Sequence, residues 1–231
     1  MLYRVAIAET SQGRLSIRNW RNAHINAVAP FTRHLLALYC STINPIELLS
    51  TFHNTENLAI WFNHDLSPEY LKKMNDLPLR MLSVALGHIS LDEAIQYCPA
   101  FRNVTHLEII SLKGSTWNDY RALAEFPKLT HLCFDVLFEV GDEIVLGLLK
   151  HCPSLRSLIY LLQNGCTIGI DDSRLLVLQD YIDDLMEDWE RSANGGIGLW
   201  ELADIIIEAR KGRLHSISSR VIFMHLFLGH R

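Results

Sequence analysis

A short phrase that recurs at a nearly constant interval constrains this chain more than any other feature. The phrase has large apolar residues at its first, fourth and sixth positions. Its clearest copies are LRMLSV, VTHLEI, LTHLCF and LRSLIY, which start at Leu79, Val104, Leu129 and Leu155. The steps between these starts are 25, 25 and 26 residues. Looser copies precede them and begin at Thr55 and Thr32.

The alternation within each phrase predicts a short strand, and a period in the twenties with this spelling is the leucine-rich-repeat signature. One such strand cannot bury its apolar face alone, so neighbouring copies must stack into a parallel sheet. We predict an α/β leucine-rich-repeat solenoid of about six units, with parallel strands on its concave side, short helices on its convex side and a C-terminal helical cap. The adjacent interior positions are then Leu82, Leu107, Leu132 and Leu158. The alternative is an α/β sheet that looks repetitive without forming a true solenoid.

The segments between the phrases carry start and stop signals for helices. Ser90 and Glu93 fit a capping box, and Thr116 with Asp119 is an acidic variant of it. Ser67 stands before a proline at a first helical position. Prolines then precede the phrases, because proline cannot continue a helix and favours extended geometry before it; these are Pro78, Pro99, Pro127 and Pro153.

One position departs from typical leucine-rich repeats. Those repeats place Asn or Cys three residues after the phrase, where the side chain bonds the turn. This chain has no such residue there; the positions hold Gly87, Leu112, Leu137 and Gln163. We therefore predict irregular repeats without an asparagine ladder.

The composition divides the chain into four parts. Residues 1–30 form an N-terminal edge or cap, residues 31–170 the solenoid, residues 171–212 an acidic C-terminal cap, and residues 213–231 a tail. Residues 171–190 contain eight carboxylates, and Arg174 is the only basic residue among them. We predict a last strand at 174–178, and a helix at 199–210 that lies as a lid over the end of the solenoid.

The totals exclude several classes of protein. The net charge is −5 and the pI is near 6.1, which argues against a nucleic-acid partner. The five cysteines form no CxxC pair, so neither a zinc site nor a disulfide framework is indicated. The start lacks a signal peptide, and the apolar run at 221–228 is too short to cross a bilayer. We expect a cytoplasmic or nuclear protein with no membrane contact and no cofactor.

The C-terminal third carries a family resemblance. The segments CPSLRSLIYLL, DDSRLLVL and DYIDDLMEDWERSANGGIGLWELADIIIEARKG resemble fungal, mushroom-type, F-box-associated or F-box-like leucine-rich-repeat proteins. The most specific part is Asp188-Trp189-Glu190 followed by Gly195-Gly196 and Trp200. The resemblance extends over about residues 28–212 and implies a substrate-recognition module of a ubiquitin ligase, or an orphan relative of one. Residues 1–30 are short and strand-like, so we expect no recognisable F-box before the repeats.

The positions beside the inward leucines predict the functional surface. Neighbouring strands lie about 4.8 Å apart, so His106 and His131 should be side by side, with Glu108 and Asp135 nearby. Solenoids commonly bind through their concave face, and Trp61 adds apolar area to it. We predict a non-enzymatic protein-interaction module whose protein partner contacts Trp61, Glu108, His131 and Asp135.

Other readings of the same surface stay open. A small metal-dependent or Cys/His hydrolase would use His106, His131 and Cys133, since these side chains can bind zinc or act as nucleophile and base. The C-terminal segment could instead fold back and cover the concave face. A third hypothesis is a truncated product without activity of its own. The chain contains no phosphate loop, GxSxG elbow, HExxH or dinucleotide fingerprint, so we predict no catalytic residue and no metal ligand.

Overall fold

The computed structural model describes residues 5–11, 14–17, 29–38, 45–61, 66–112, 114, 116–135, 141–162, 168–179 and 185–212. Its strands are β1 (Val5–Ser11), β2 (Arg14–Ile17), β3 (His34–Leu38), β4 (Asn57–Trp61), β5 (Met81–Gly87), β6 (His106–Leu112), β7 (His131–Phe134), β8 (Ser157–Leu162) and β9 (Leu175–Gln179). Its α-helices are α1 (Pro45–Thr51), α2 (Pro68–Met74), α3 (Leu91–Tyr97), α4 (Trp117–Tyr120), α5 (Asp142–His151), α6 (Leu185–Ala193) and α7 (Leu199–Gly212). Short 3-10 helices occupy Ala29–Phe31, Pro99–Asn103 and Arg121–Glu125. The predicted tail at 213–231 and the acidic residues 180–184 lie outside the described residues.

All nine strands belong to one sheet, in the spatial order β2-β1-β3-β4-β5-β6-β7-β8-β9. Eight of them run parallel, and β2 pairs antiparallel with β1 at one edge. The N-terminal segment therefore adds strands to the sheet beside the first repeat. The fold is α/β with a parallel sheet.

The strands align by the register that the repeat predicts. Leu82 pairs with Leu107, Leu107 with Leu132, and Leu132 with Leu158. The same row continues to Leu58 and Leu35 on one side and to Leu175 on the other. The predicted alignment of these leucines is confirmed, and so is the strand at the end of the repeats.

One irregularity interrupts the register between β5 and β6. Ala85 pairs with Ser111 rather than with Ile110, and Gly87 then pairs with Leu112, so one residue is passed over on β6 and one on β5 before the register is restored. The Ser111 hydroxyl accepts a hydrogen bond of 3.3 Å from the backbone N–H of Gly87. An unbroken 25-residue repeat would pair Ala85 with Ile110, so the regular register fails at this bulge.

The helices between the strands cover one side of the sheet, which we call the rear face. On this face the leucines of the row, and the residues two positions after each of them, pack against α1 to α5. The helices contribute buried side chains such as Phe52, Leu71 and Leu148. The helix starts are those that the sequence predicts. The Ser90 and Glu93 side chains form a capping box, and the Asp119 carboxylate accepts hydrogen bonds of 3.0 and 2.8 Å from the backbone N–H and hydroxyl of Thr116.

A backbone ladder joins the repeats at the start of each strand. The carbonyl of Arg80 accepts hydrogen bonds from the N–H groups of Thr105 and His106, and the carbonyl of Thr105 accepts from Thr130 and His131. The hydroxyls of Thr105 and Thr130 add bonds of 3.1 and 3.0 Å to the carbonyls of the preceding repeat. Threonines before the strand thus link adjacent repeats, in a chain that lacks the asparagine ladder after it.

The C-terminal helices differ from the predicted lid. α6 and α7 do not sit over the end of the sheet; they lie across its front face, which is the side opposite α1 to α5. Leu199, Leu202, Ala203 and Ile206 form an apolar stripe on α7, and β7 to β9 present buried apolar side chains to it. The stripe therefore buries more apolar surface across the face than it could at a strand edge.

Gly147 in α5 supports a prediction about stability. A Cβ at this position would lie within 3.0 Å of three ring atoms of Trp117, whose ring also stacks on His151 with centroids 5.4 Å apart. We expect Gly147→Ala to lower the free energy of unfolding by about 1–3 kcal/mol, because overpacking outweighs the helix propensity of alanine. Urea denaturation followed by circular dichroism measures this. Gly169→Ala is the control, since its Cβ meets nothing within 4 Å; equal losses in both variants would contradict the clash.

Candidate functional site

The front face is covered at its two sides by different helices. α6 places Trp189 and Ala193 against Leu36 and Ala59 of β3 and β4. α7 places its apolar stripe on the far side, against side chains of β7, β8 and β9. Between the two contacts lie β5 and β6, where the polar side chains of Ser83, His106 and Glu108 are on the same face. The sequence alternative in which the C-terminal segment folds back over this face is the one that the structure adopts.

Hydrogen bonds hold α6 and α7 together as one C-terminal helix pair. The backbone N–H of Leu199 donates to Asp188 Oδ2 of α6 at 2.9 Å, and the Ser192 hydroxyl of α6 donates to Glu201 Oε2 of α7 at 3.1 Å. Glu201 Oε2 also accepts from the N–H of Gly198 at 3.0 Å. These carboxylates satisfy donors at the N-terminus of α7, where a negative charge is also favoured. Gly195 has φ of +83° in the connection, a conformation that favours glycine.

Two stacked imidazoles form the polar centre of the front face. His106 and His131 are ladder neighbours, and their ring centroids lie 4.2 Å apart with an interplanar angle of 6°. The indole of Trp200, on α7, meets both rings edge-on at 5.3 and 6.0 Å. Burial, together with the charge that a second imidazole would carry, lowers the pKa of His106 to about 3. His106 is therefore neutral at pH 7, and burial lowers the pKa of His131 as well.

Two side-chain contacts fix the orientation of His131. Its Nδ1 lies 2.8 Å from the hydroxyl of Thr130, which also lies 3.0 Å from the carbonyl of Thr105. Its Nε2 lies 3.1 Å from Asp204 Oδ1 of α7, and a proton on Nε2 makes this contact a hydrogen bond. Asp204 opposes the effect of burial on the pKa of His131.

A second polar chain runs through the middle of the front face. Trp61 Nε1–H donates to Ser83 Oγ at 2.8 Å, and the Ser83 side chain is hydrogen-bonded to Glu108. Glu108 is only 6% exposed, and its Oε1 has no hydrogen-bond partner among the described residues. Burial raises the pKa of Glu108 to about 7, and the carboxylates of Asp135 and Asp188 add to the rise. The pKa of this buried carboxyl group is thus close to neutral pH.

Cys133 lies beside Glu108 on the next strand and is fully buried against α7. Burial raises the pKa of its thiol, and the nearby carboxylates Glu108, Asp135 and Asp188 act in the same direction. A buried neutral thiol is a poor nucleophile. Within the parts of the chain that the structure describes, no group of three or more His, Cys, Asp or Glu side chains is arranged to hold a metal ion.

The structure brings the four predicted contact residues onto one face but gives them different surroundings. Trp61 and Asp135 are half-buried, whereas Glu108 and His131 are buried beneath the helix pair. Sequence reasoning missed Ser83, which connects Trp61 to Glu108, and Asp204, which contacts His131 across 73 residues of chain. The only signal for Asp204 is its place beside the apolar stripe of α7.

Comparisons of the chain with models of protein families, with curated proteins and with solved structures find no match in any of the three. Among the described helices, none combines the length and the apolar character that crossing a membrane requires.

Proposed function

We propose that this chain is a leucine-rich-repeat solenoid that serves as a non-enzymatic protein-interaction module, and that its partner binds on the front face. The observation that carries the proposal is the chemistry of that face. Apolar side chains of six strands lie there, and the chain covers them with two helices of its own. An apolar sheet face that accepts helices can also accept a protein partner, and solenoids commonly bind through this face.

The repeat geometry supports the solenoid assignment. The units recur at 25 residues in the middle of the chain, and each contributes one strand in register and one return segment. The repeat core on the rear face needs no residue of the C-terminal helix pair. Such stacking of similar units is the feature that defines solenoids.

The buried thiol of Cys133 favours a binding role over the hydrolase alternative. Its raised pKa works against the thiolate that nucleophilic attack requires. We also place the module in the cytoplasm or nucleus, because Cys98, Cys133 and Cys152 are buried free thiols that suit a reducing compartment. Following the family resemblance, we propose a substrate-receptor relative of ubiquitin ligases as the more specific identity; a ubiquitin-ligase substrate among the proteins captured on the front face would support it.

Site-directed capture of a partner tests the front face. The double variant Trp61→Ala/Asp135→Lys changes the two predicted contact residues that retain exposure. We expect it to recover at least tenfold less partner from the native source than the unchanged chain, measured by quantitative mass spectrometry, since anchor residues dominate protein interfaces.

The matched control changes the rear side instead. Leu146→Ala/Asp142→Lys alters exposed residues of α5 by similar chemistry and should leave recovery unchanged. Circular dichroism establishes that both variants are folded. Loss of the partner in the rear-side variant, with full recovery in the front-face variant, would place the interface on the helices and refute the proposal.

A further inference from the structure

We infer that the C-terminal helix pair is a displaceable internal occupant of the front face, and that the partner inserts an amphipathic helix of the same kind in place of α7. This inference rests on the proposed function and names the class of partner and the device that regulates its access. The argument starts from what α7 presents to the sheet.

The seat of α7 has the shape and polarity of a helix-binding groove. The buried residues Leu199, Leu202, Ala203 and Ile206 follow the spacing i, i+3, i+4, i+7 and pack on three strands. The next residue on the chain after Ala203 is Asp204, whose carboxylate reaches His131 at 3.1 Å. A partner helix that fits this seat has an apolar stripe with one carboxylate beside it.

Trp200 adds an aromatic requirement to the seat. Its indole lies one helical turn before Asp204 and meets the edges of the two stacked imidazoles. An aromatic residue four positions before an acidic one therefore completes the fit. The histidines thus recognise a helix that carries both groups on the flank of its apolar stripe.

The rest of the fold does not depend on the helix pair. The large rear-face core contains no residue of α6 or α7. Adjacent repeats are joined by backbone hydrogen bonds of the sheet and by the carbonyl ladder at the strand starts. Removing the pair therefore uncovers the front face while the sheet and its helices stay in place.

Opening also returns polar groups to water. The closed pair keeps Glu108 6% exposed and His131 3% exposed, and Glu108 Oε1 lacks a hydrogen-bond partner among the described residues. Rehydration of these groups offsets part of the apolar contact that is lost on opening. The free energy of opening is therefore smaller than the apolar contacts alone would give, which favours displacement by a competing helix.

Site-resolved thiol labelling of the full chain measures the opening. Cys133 lies beneath α7, whereas Cys98 and Cys152 lie in the rear-face core. We expect Ile206→Asp to raise the labelling rate of Cys133 at least tenfold, with Cys98 and Cys152 still protected. Ile205→Asp is the matched control, because Ile205 is 49% exposed on the same helix; its labelling should equal that of the unchanged chain. Ile206→Ala provides a milder opening if the aspartate variant fails to fold.

A synthetic peptide of residues 185–212 then tests the class of occupant. Added to the Ile206→Asp chain, it should restore protection of Cys133 and bind at least tenfold more tightly than to the unchanged chain. The same peptide with Asp204→Lys should bind more weakly.

Three outcomes would overturn the inference. Simultaneous labelling of Cys98, Cys133 and Cys152 would show that the pair opens only with global unfolding. Equal binding of the peptide to open and closed chains would show that it does not compete for the seat of α7. Protection of Cys133 that rises with protein concentration and coincides with dimers would show exchange of the pair between copies. Failure here leaves the partner-capture result on Trp61 and Asp135 intact, so the two proposals can be separated.

Discussion

Replacing Glu108 with glutamine is expected to stabilise the chain at alkaline pH and to leave its stability unchanged in acid. The carboxyl of Glu108 is buried, and its pKa rises from the ordinary 4.5 to about 7. A shift of this size corresponds to about 3 kcal/mol of folding free energy, as an order of magnitude. Glutamine keeps the size and neutrality of the protonated acid and has no proton to lose.

The sign follows from which state holds the proton. Below pH 4.5 the side chain is protonated in both the folded and the unfolded chain. Between pH 4.5 and 7 the unfolded chain releases the proton and the folded chain retains it, so stability falls as the pH rises. Above pH 7 both states are ionised and the loss is complete. The gain of Glu108→Gln over the unchanged chain should therefore grow from near zero at pH 4 to about 3 kcal/mol at pH 8.

The difference between the two chains is the quantity to measure, because His106 acts in the opposite direction. Its pKa is lowered to about 3, so its contribution to stability is lost as the pH falls from 6.5. The two slopes oppose each other between pH 4.5 and 6.5 in the unchanged chain. Urea titrations across pH give the difference, and Glu143→Gln on exposed α5 is the control. A gain that does not vary with pH would contradict a neutral buried Glu108.

Truncating Leu107 should cost more than any single change on the surface. Leu107 is 1% exposed and lies in the middle of the leucine row, with Leu82 and Leu132 as its neighbours. Leu107→Ala leaves a cavity between two repeats, and we expect the free energy of unfolding to fall by about 2–5 kcal/mol. Thermal or urea denaturation measures this loss.

The same substitution on the outside of a helix provides the comparison. Leu146 is 53% exposed on α5, so Leu146→Ala should change stability by no more than about 0.5 kcal/mol. Similar losses of unfolding free energy at Leu107 and Leu146 would mean that the leucine row does not dominate the stability of the core. A broadened transition in Leu107→Ala would indicate that the repeats on its two sides unfold separately.

The register of the sheet could be predicted from the sequence because its signal is local and repeated. Each phrase carries its own alternation, helix start and proline, and the equal spacing then brings Leu107 opposite Leu132 without knowledge of any long-range contact. The paired histidines follow from the same register, which is why their neighbourhood was predicted correctly. The bulge at Ser111 could not be predicted, because nothing in the local pattern of β6 marks where a residue is passed over.

The docking of the helix pair could be predicted only in part. The apolar stripe from Leu199 to Ile206 shows that α7 is buried on one side, but it does not say against what. The contact between His131 and Asp204 joins residues far apart in the chain, and no spacing rule connects them. The burial of Glu108 follows from that docking, so it too was beyond reach of the sequence pattern.

The carbonyl ladder at the strand starts has a consequence for how such a chain can change length. One carbonyl before each strand accepts two backbone hydrogen bonds from the next repeat; these carbonyls belong to Arg33, Glu56, Arg80, Thr105 and Thr130. Because the bonds are the same at each internal junction, one repeat can be exchanged for another there. Duplicating a block of about 25 residues would offer the same set of acceptors on one edge and donors on the other. The sheet would then gain one strand, while the length of the C-terminal helix pair would not change. The pair could not cover the wider front face completely, so the added strand would expose new surface there.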